Sequence, residues 1–198
     1  MKLIEEGDVR HYDAEKSRQI RALKESISKK VRPELEGKYG RSMFITLSLV
    51  KAARIQYFLG DLEGKKILDL GCGSVYTTGE SAVGRGYPPW LCRALHQLKA
   101  RVIGIDWNPQ DSEEFESYKI DLYHHNSLKQ FYGREFDLAC AFSLFDSPSL
   151  HLVHGPDAGR RLFDMMTIQL ERIVKDKGFF FFEGTGTGLL AEGRSRQR

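Results

Sequence analysis

After Gly64, short apolar runs alternate with longer stretches of helical periodicity, and this alternation restricts the fold more than any other feature of the chain. The runs are apolar throughout, so they suit strands of a parallel sheet that is covered on both faces. The sequence therefore predicts a doubly wound α/β domain. The five predicted strands are 66–70, 101–105, 118–122, 136–142 and 178–182.

The segment before these strands predicts two helices. Over 13–31, apolar residues recur every three or four positions and form one stripe among many charges. Asp13 is the expected N-cap of this helix, and Pro33 is expected to end it. A second, more apolar helix is predicted over 42–59, with Gly60 as its C-terminal cap, and it should pack against the core.

The chain is thus expected to have three parts. Residues 1–63 are a helical extension that packs on the core, and 64–184 are the α/β domain. Residues 185–198 are Gly-rich and basic, which predicts a disordered tail.

Composition excludes several classes of protein. With 198 residues, 41% of them hydrophobic and 29% charged, the chain is an ordinary globular protein with a sizeable core. No apolar run is long enough to span a membrane, and the net charge of +3 does not indicate a surface coated by nucleic acid. The three cysteines are too few for a disulfide framework, which favours a cytoplasmic location.

Two elements predict a ligand site at the carboxyl edge of the sheet. The turn Asp69-Leu-Gly-Cys-Gly73 follows the first strand, and its glycines allow backbone to approach a ligand closely. The second strand ends at Asp106, whose carboxylate can accept two hydrogen bonds from the hydroxyls of a ribose. Since both lie at carboxyl ends of strands, we expect them to face one crevice.

The two segments ILDLGCGS and VIGIDWNP resemble motifs I and II of class I S-adenosylmethionine-dependent methyltransferases. YKIDL, FDLACAF and LERIVKDKGFFFF are similar to the later motifs, so the resemblance covers residues 64–184. It implies a mostly parallel sheet of order 3-2-1-4-5. It also implies a methyl transfer from S-adenosyl-L-methionine that leaves S-adenosyl-L-homocysteine.

The same resemblance implies the cofactor contacts. Asp69 would lie near the amino-acid end of the cofactor, Asp106 would bind the ribose and Trp107 would pack near the adenine. Asp121 would face the adenine amino group. The full set of cofactor-binding residues is Asp69, Gly71, Cys72, Gly73, Asp106, Trp107, Asp121, Leu122 and Phe142.

Three departures from the family pattern stand out. Val75 replaces the third glycine of motif I. The 35 positions from Gly71 to Asp106 exceed the usual spacing of about 20, and the surplus over 76–89 is expected to be a lid or a solvated loop. The usual C-terminal hairpin is expected to be absent, so the fifth strand should lie at an exposed edge that the N-terminal helices or a second subunit could cover, unless the chain is an incomplete copy of the fold.

Several functions remain open on the sequence. A methyltransferase acting on a small molecule is favoured over one acting on protein or RNA, with a homodimer through the open edge as the expected assembly. A catalytically silent methyltransferase-fold subunit is the alternative. A nicotinamide-binding domain is disfavoured, because Tyr76 stands where G-x-G-x-x-G needs its last glycine.

The sequence assigns no catalytic residue and no metal ligand. Methyl transfer depends chiefly on positioning, so an obligatory catalytic side chain need not exist. His151 and His154 follow the fourth strand and could act as a base or hold a metal. Their simpler interpretation is that of polar residues on the rim of the site.

Overall fold

The computed structural model describes residues 1–5, 14–73, 87–109 and 113–182. Some predictions concern residues outside the described ranges. They are the N-cap at Asp13, Val75, residues 76–86 of the insertion and the 185–198 tail.

The described ranges form strands, α-helices and one 3₁₀ turn in an alternating order. The strands are β1 (Lys2–Glu5), β2 (Lys66–Leu70), β3 (Arg101–Asp106), β4 (Glu116–Lys119), β5 (Phe136–Ala141) and β6 (Val174–Phe182). The helices are α1 (Ala14–Tyr39), α2 (Met43–Leu59), α3 (Trp90–Gln97), α4 (Pro148–His154) and α5 (Ala158–Leu170), and the 3₁₀ turn is Lys129–Phe131.

The strands form one parallel sheet of order β1-β6-β5-β2-β3-β4, which confirms the predicted α/β class. The strands after residue 64 keep their expected relative order, but the order of the whole sheet differs because β1 is an additional strand. It pairs with β6 from Lys2 opposite Phe179 to Glu5 opposite Phe182. The predicted five-stranded sheet with an exposed fifth strand is therefore wrong.

β1 covers the edge because it supplies both backbone partners and an apolar side chain. Its backbone pairs with the edge of β6, which would otherwise carry free N–H and C=O groups. Ile4 is buried in the core. The predicted homodimer was placed on this edge, which β1 now occupies, and the association of two copies stays a prediction.

The position of β4 also differs from the sequence interpretation. This strand spans Glu116–Lys119 rather than 118–122, and its side chains are mostly exposed. An edge strand of this kind has no unbroken apolar run, so a search for apolar runs places it too late. The same search finds only the last part of β6, which begins at Val174.

Helix α1 continues through Pro33 to Tyr39, so the predicted end at the proline is wrong. A proline inside a helix costs about 3 kcal/mol, because it removes a hydrogen bond and crowds the preceding turn. Pro33 itself faces solvent, whereas Val31 and Leu35 on either side are completely buried. Their burial keeps the helix intact beyond the proline.

Helix α2 has the C-terminal cap that was predicted, and the structure adds an N-cap. The Ser42 side chain accepts a hydrogen bond from the Phe44 N–H at 3.2 Å. At the other end, Gly60 has a φ of +74° and its N–H donates to the Gln56 carbonyl at 2.8 Å. Both ends of the helix are thus satisfied by local groups.

The sheet has a hydrophobic cluster on each face. Helices α1, α2 and α3 cover one face, through residues such as Ile27, Leu49 and Leu95. Helix α5 and the 3₁₀ turn cover the other, through Met166 and Phe131 among others. Both faces of the central strands are therefore buried, and ligands can reach the sheet at the carboxyl ends of its strands. In the described residues, no helix has the length and apolar composition that a membrane span requires.

Candidate functional site

A pocket of about 690 Å³ lies at the carboxyl ends of β2, β3 and β4. Gly71 follows β2, Asp106 ends β3, and Trp107 and Asp121 belong to the loops beyond β3 and β4. This volume falls within the range of roughly 300–1,000 Å³ that is typical of small-molecule sites. The crevice expected at the carboxyl edge of the sheet is present.

Asp106 is the main acidic group at the base of the pocket. Its side chain is only 7% exposed. Its Oδ2 accepts a hydrogen bond from the Gly73 N–H at 3.1 Å, and its Oδ1 accepts one from the Asn108 N–H at 3.3 Å. Burial raises the pKa of Asp106, and the backbone N–H groups of Asn108 and Gly73 oppose that rise. The Trp107 N–H also lowers the pKa, and an ionised carboxylate has about four lone-pair sites, so it can still accept from a ligand hydroxyl.

The glycine turn after β2 is tied to β3 and needs its glycines. The N–H groups of Gly71 and Cys72 both donate to the Ile105 carbonyl, at 2.8 and 3.0 Å. Gly73 has a φ of +134°, and a Cβ there would lie 2.0 Å from the Tyr87 carbonyl oxygen. Only glycine allows the N–H of residue 73 to reach Asp106 in this conformation.

The loop after β4 forms a second polar side of the pocket. Asp121 Oδ1 accepts a hydrogen bond from the Tyr123 N–H at 2.9 Å, and Asp121 Oδ2 lies 3.4 Å from His124 Nε2. Trp107, at the end of the neighbouring strand, is 60% exposed beside the same pocket. A planar group between these two loops would meet an aromatic ring and a carboxylate.

Helices α4 and α5 supply the opposite wall, of which the sequence interpretation included only the histidines after the fourth strand. The rings of Tyr123 and His154 are stacked, with centroids 3.8 Å apart and planes at 12°. Arg161 Nε donates to Tyr123 Oη, and Arg161 Nη2 donates to the His154 carbonyl, each at 2.6 Å. His154 is thus a lining residue of the pocket, and its position depends on how α4 packs rather than on a local motif.

Asp69 lies behind the glycine turn, among the cysteines of the chain. It is 3% exposed, and its carboxylate accepts hydrogen bonds from Cys92 Sγ at 3.1 Å and Cys140 Sγ at 3.4 Å. Burial raises the pKa of Asp69 to about 6. Burial also raises the pKa values of the Cys92 and Cys140 thiols well above their usual range, which keeps them protonated as donors.

The predicted cofactor-binding residues divide into two groups. Those that line the pocket are Gly71, Asp106, Trp107, Asp121 and Leu122. Those that do not line it are Asp69, Cys72, Gly73 and Phe142.

Phe142 belongs to the second group because its ring is packed within the core. The ring lies 5.1 Å from that of Phe181 and has the Lys51 ammonium 4.6 Å from its centroid. In the described part of the chain, His, Cys, Asp and Glu form no group of three that could hold a metal ion.

The likeness of this chain to known proteins is at the level of solved structures. No family model matches the chain, and no curated protein matches it. A short chain dehydrogenase from Leptospira borgpetersenii serovar Hardjo-bovis, solved with bound NAD+, is 18% identical with a TM-score of 0.44. The likeness covers 67% of this chain and 56% of that one.

This neighbour contradicts the predicted function and cofactor. It is an NAD+-bound dehydrogenase, so the predictions of an S-adenosylmethionine-dependent methyltransferase and of its cofactor are not retained. The silent methyltransferase-fold subunit is dropped with them. The chain has a Rossmann-like α/β fold with a six-stranded parallel sheet. The motif-like segments are therefore compatible with that fold without specifying methyl transfer, because a glycine turn and a following acid serve several nucleotide ligands.

Proposed function

We propose that this chain binds a ribonucleoside at the carboxyl edge of its sheet, with the ribose diol on Asp106. The observation that carries the proposal is the position of that carboxylate. It is buried, it is held by two backbone N–H groups, and it lines a pocket large enough for a nucleoside. The two hydroxyls of a ribose are well placed donors for such a group.

The surroundings of Asp106 support the same ligand class. Gly71 lets the backbone approach the sugar side of the pocket without a side chain in between. Trp107 offers a ring against which a base can stack, and Asp121 offers an acceptor for an exocyclic amino group. Adenosine has the three matching groups, which are a ribose diol, a planar base and an exocyclic amino group. Larger molecules that contain adenosine, such as AMP, ADP-ribose and NAD+, have them as well.

The test is a calorimetric titration of adenosine and 2′-deoxyadenosine into the wild type and Asp106→Ala. Adenosine affinity should fall by about 2–3 kcal/mol in the variant, the strength of hydrogen bonds to a charged acceptor. 2′-Deoxyadenosine should bind the wild type about tenfold more weakly than adenosine, because it loses one such bond. The variant should no longer distinguish the two nucleosides.

A matched control is Asp61→Ala. Asp61 is exposed and precedes β2, at the opposite end of the strand from the pocket. Its removal should leave both affinities unchanged. Equal binding of adenosine by the wild type and Asp106→Ala would refute the proposal, as would the absence of binding by the folded wild type. AMP, ADP-ribose and NAD+ in the same assay would then show how far the ligand extends beyond the nucleoside.

A further inference from the structure

The pocket is larger than a nucleoside requires. A nucleoside has about 20 non-hydrogen atoms, which at the density of a protein interior occupy roughly 300–400 Å³. The pocket measures about 690 Å³. If the ribose lies on Asp106, much of the remaining space is on the side of α4 and α5.

That remaining space has an apolar wall, which we call the apolar bay. The bay is lined by Tyr123, Leu144, Leu150, Val153, His154 and Leu162. Leu162 is buried, whereas Val153 is 73% exposed although it borders the pocket. An apolar side chain that faces a cavity and remains exposed gains free energy when an apolar ligand group covers it.

The bay also has one rigid, planar wall. The stacked rings of Tyr123 and His154 are held in place from both sides, since Arg161 donates to the Tyr123 hydroxyl and to the His154 carbonyl. A wall of fixed aromatic rings matches a flat ligand group better than a branched aliphatic one.

The bay begins where the base of the proposed nucleoside would end. Asp121 and Tyr123 are two residues apart, and the Tyr123 N–H donates to the Asp121 carboxylate. A base whose amino group faces Asp121 would therefore point any substituent on that nitrogen toward the stacked rings. We infer that the ligand of this pocket is a nucleoside whose base carries a planar apolar substituent, which occupies the apolar bay. This inference rests on the proposed ribonucleoside binding.

The probe for the bay is N6-benzyladenosine, compared with adenosine by calorimetry. The benzyl group adds one apolar ring at the amino nitrogen and leaves one N–H for Asp121. Burial of a ring of this size should make N6-benzyladenosine bind at least about tenfold more tightly than adenosine. In Leu150→Gln, which places a polar group in the bay, that advantage should fall to about twofold or less.

Adjacent positions on α4 provide a matched pair of variants. Leu152 and Val153 are 74% and 73% exposed, and only Val153 belongs to the pocket lining. Val153→Gln should reduce the advantage of the benzyl group, and Leu152→Gln should leave it intact. Because both side chains are exposed, neither substitution should prevent folding.

The outcomes separate the two proposals. Adenosine binding that depends on Asp106, with no advantage for N6-benzyladenosine, would overturn the inference and leave the ribose site standing. Equal effects of Val153→Gln and Leu152→Gln would also overturn it. Tight binding of N6-benzyladenosine that is insensitive to Asp106→Ala would support the apolar bay and refute the ribose assignment.

Discussion

Neutralising Glu113 should destabilise the fold by about 3–5 kcal/mol, because it removes the carboxylate charge that faces the buried guanidinium of Arg93. The side chains of Arg93 and Glu113 are only 5% and 3% exposed. Arg93 Nε lies 3.2 and 3.0 Å from the two carboxylate oxygens, and Nη2 also donates to Oε1. The guanidinium carbon lies 3.8 Å from the centroid of Tyr39 and 4.8 Å from that of Trp90.

The magnitude follows from what each substitution leaves behind. Glu113→Gln preserves the volume of the side chain but removes the charge that offsets the desolvation of the guanidinium. Arg93→Met similarly leaves a buried carboxylate, so it should cost a comparable amount. The double variant Arg93→Met/Glu113→Leu removes both charges of this pair, and it should be more stable than either variant with one charge removed.

The assay is urea unfolding followed by far-ultraviolet circular dichroism, with linear extrapolation to water. Each kcal/mol should also lower the Tm by about 2–4 °C for a chain of this size. The control is the next residue in the chain: Glu114 pairs with Lys38 at 2.7 Å, but both side chains are nearly half exposed. Glu114→Gln should therefore leave the free energy of unfolding nearly unchanged.

A result in which Glu113→Gln is as stable as Glu114→Gln would refute this reasoning. So would a double variant less stable than both Arg93→Met and Glu113→Gln. Either result would mean that water reaches the Arg93 guanidinium, and that the ion pair is not the contact that fixes the segment after β3 to α3.

Two further predictions concern Asp69 and Gly73. Burial raises the pKa of Asp69 from 3.8 to about 6, so this group stabilises the fold fully below pH 3.8 and loses that contribution as pH rises through 6. The free energy of unfolding, measured in urea, should fall in the wild type by about 1–1.5 kcal/mol relative to Asp69→Asn between about pH 5 and pH 7.5. A difference that does not change with pH would contradict the assigned pKa. Gly73→Ala would place a Cβ 2.0 Å from the Tyr87 carbonyl oxygen at a φ of +134°. It should lower the free energy of unfolding by about 1–3 kcal/mol, measured by thermal unfolding. Gly37→Ala in α1, where nothing lies within 4 Å, should instead stabilise by about 0.5–1 kcal/mol, and similar effects of the two alanines would show that the turn can rearrange.

Local chemistry was sufficient to predict the central part of this protein. The apolar runs of β2, β3 and β5 are buried on both faces, and that environment leaves a direct record in the sequence. The C-terminal cap of α2 is equally local, since Gly60 satisfies a backbone group only a few residues away. The glycine turn and Asp106 could be placed at one edge because the carboxyl ends of parallel strands necessarily meet there.

The elements at the edges of the sheet could not be predicted in this way. β1 is a four-residue segment that becomes a strand only because β6 offers it an edge to pair with. β4 is mostly exposed, so it lacks the apolar run of a central strand. Helix α1 passes Pro33 because tertiary burial of Val31 and Leu35 outweighs a local cost.

The same distinction applies to the site and to its ligand. The sequence placed Asp106 in the site because it ends a strand of the sheet, and a strand end is a local feature. Asp121 was assigned through the family resemblance alone, and it lines the same pocket. The wall that contains His154 and Arg161 arises from the packing of α4 and α5 against the loop after β4, contacts between residues up to 38 positions apart. A glycine turn with a following acid is typical of this kind of fold, whereas the shape and polarity of the rest of the pocket depend on tertiary packing.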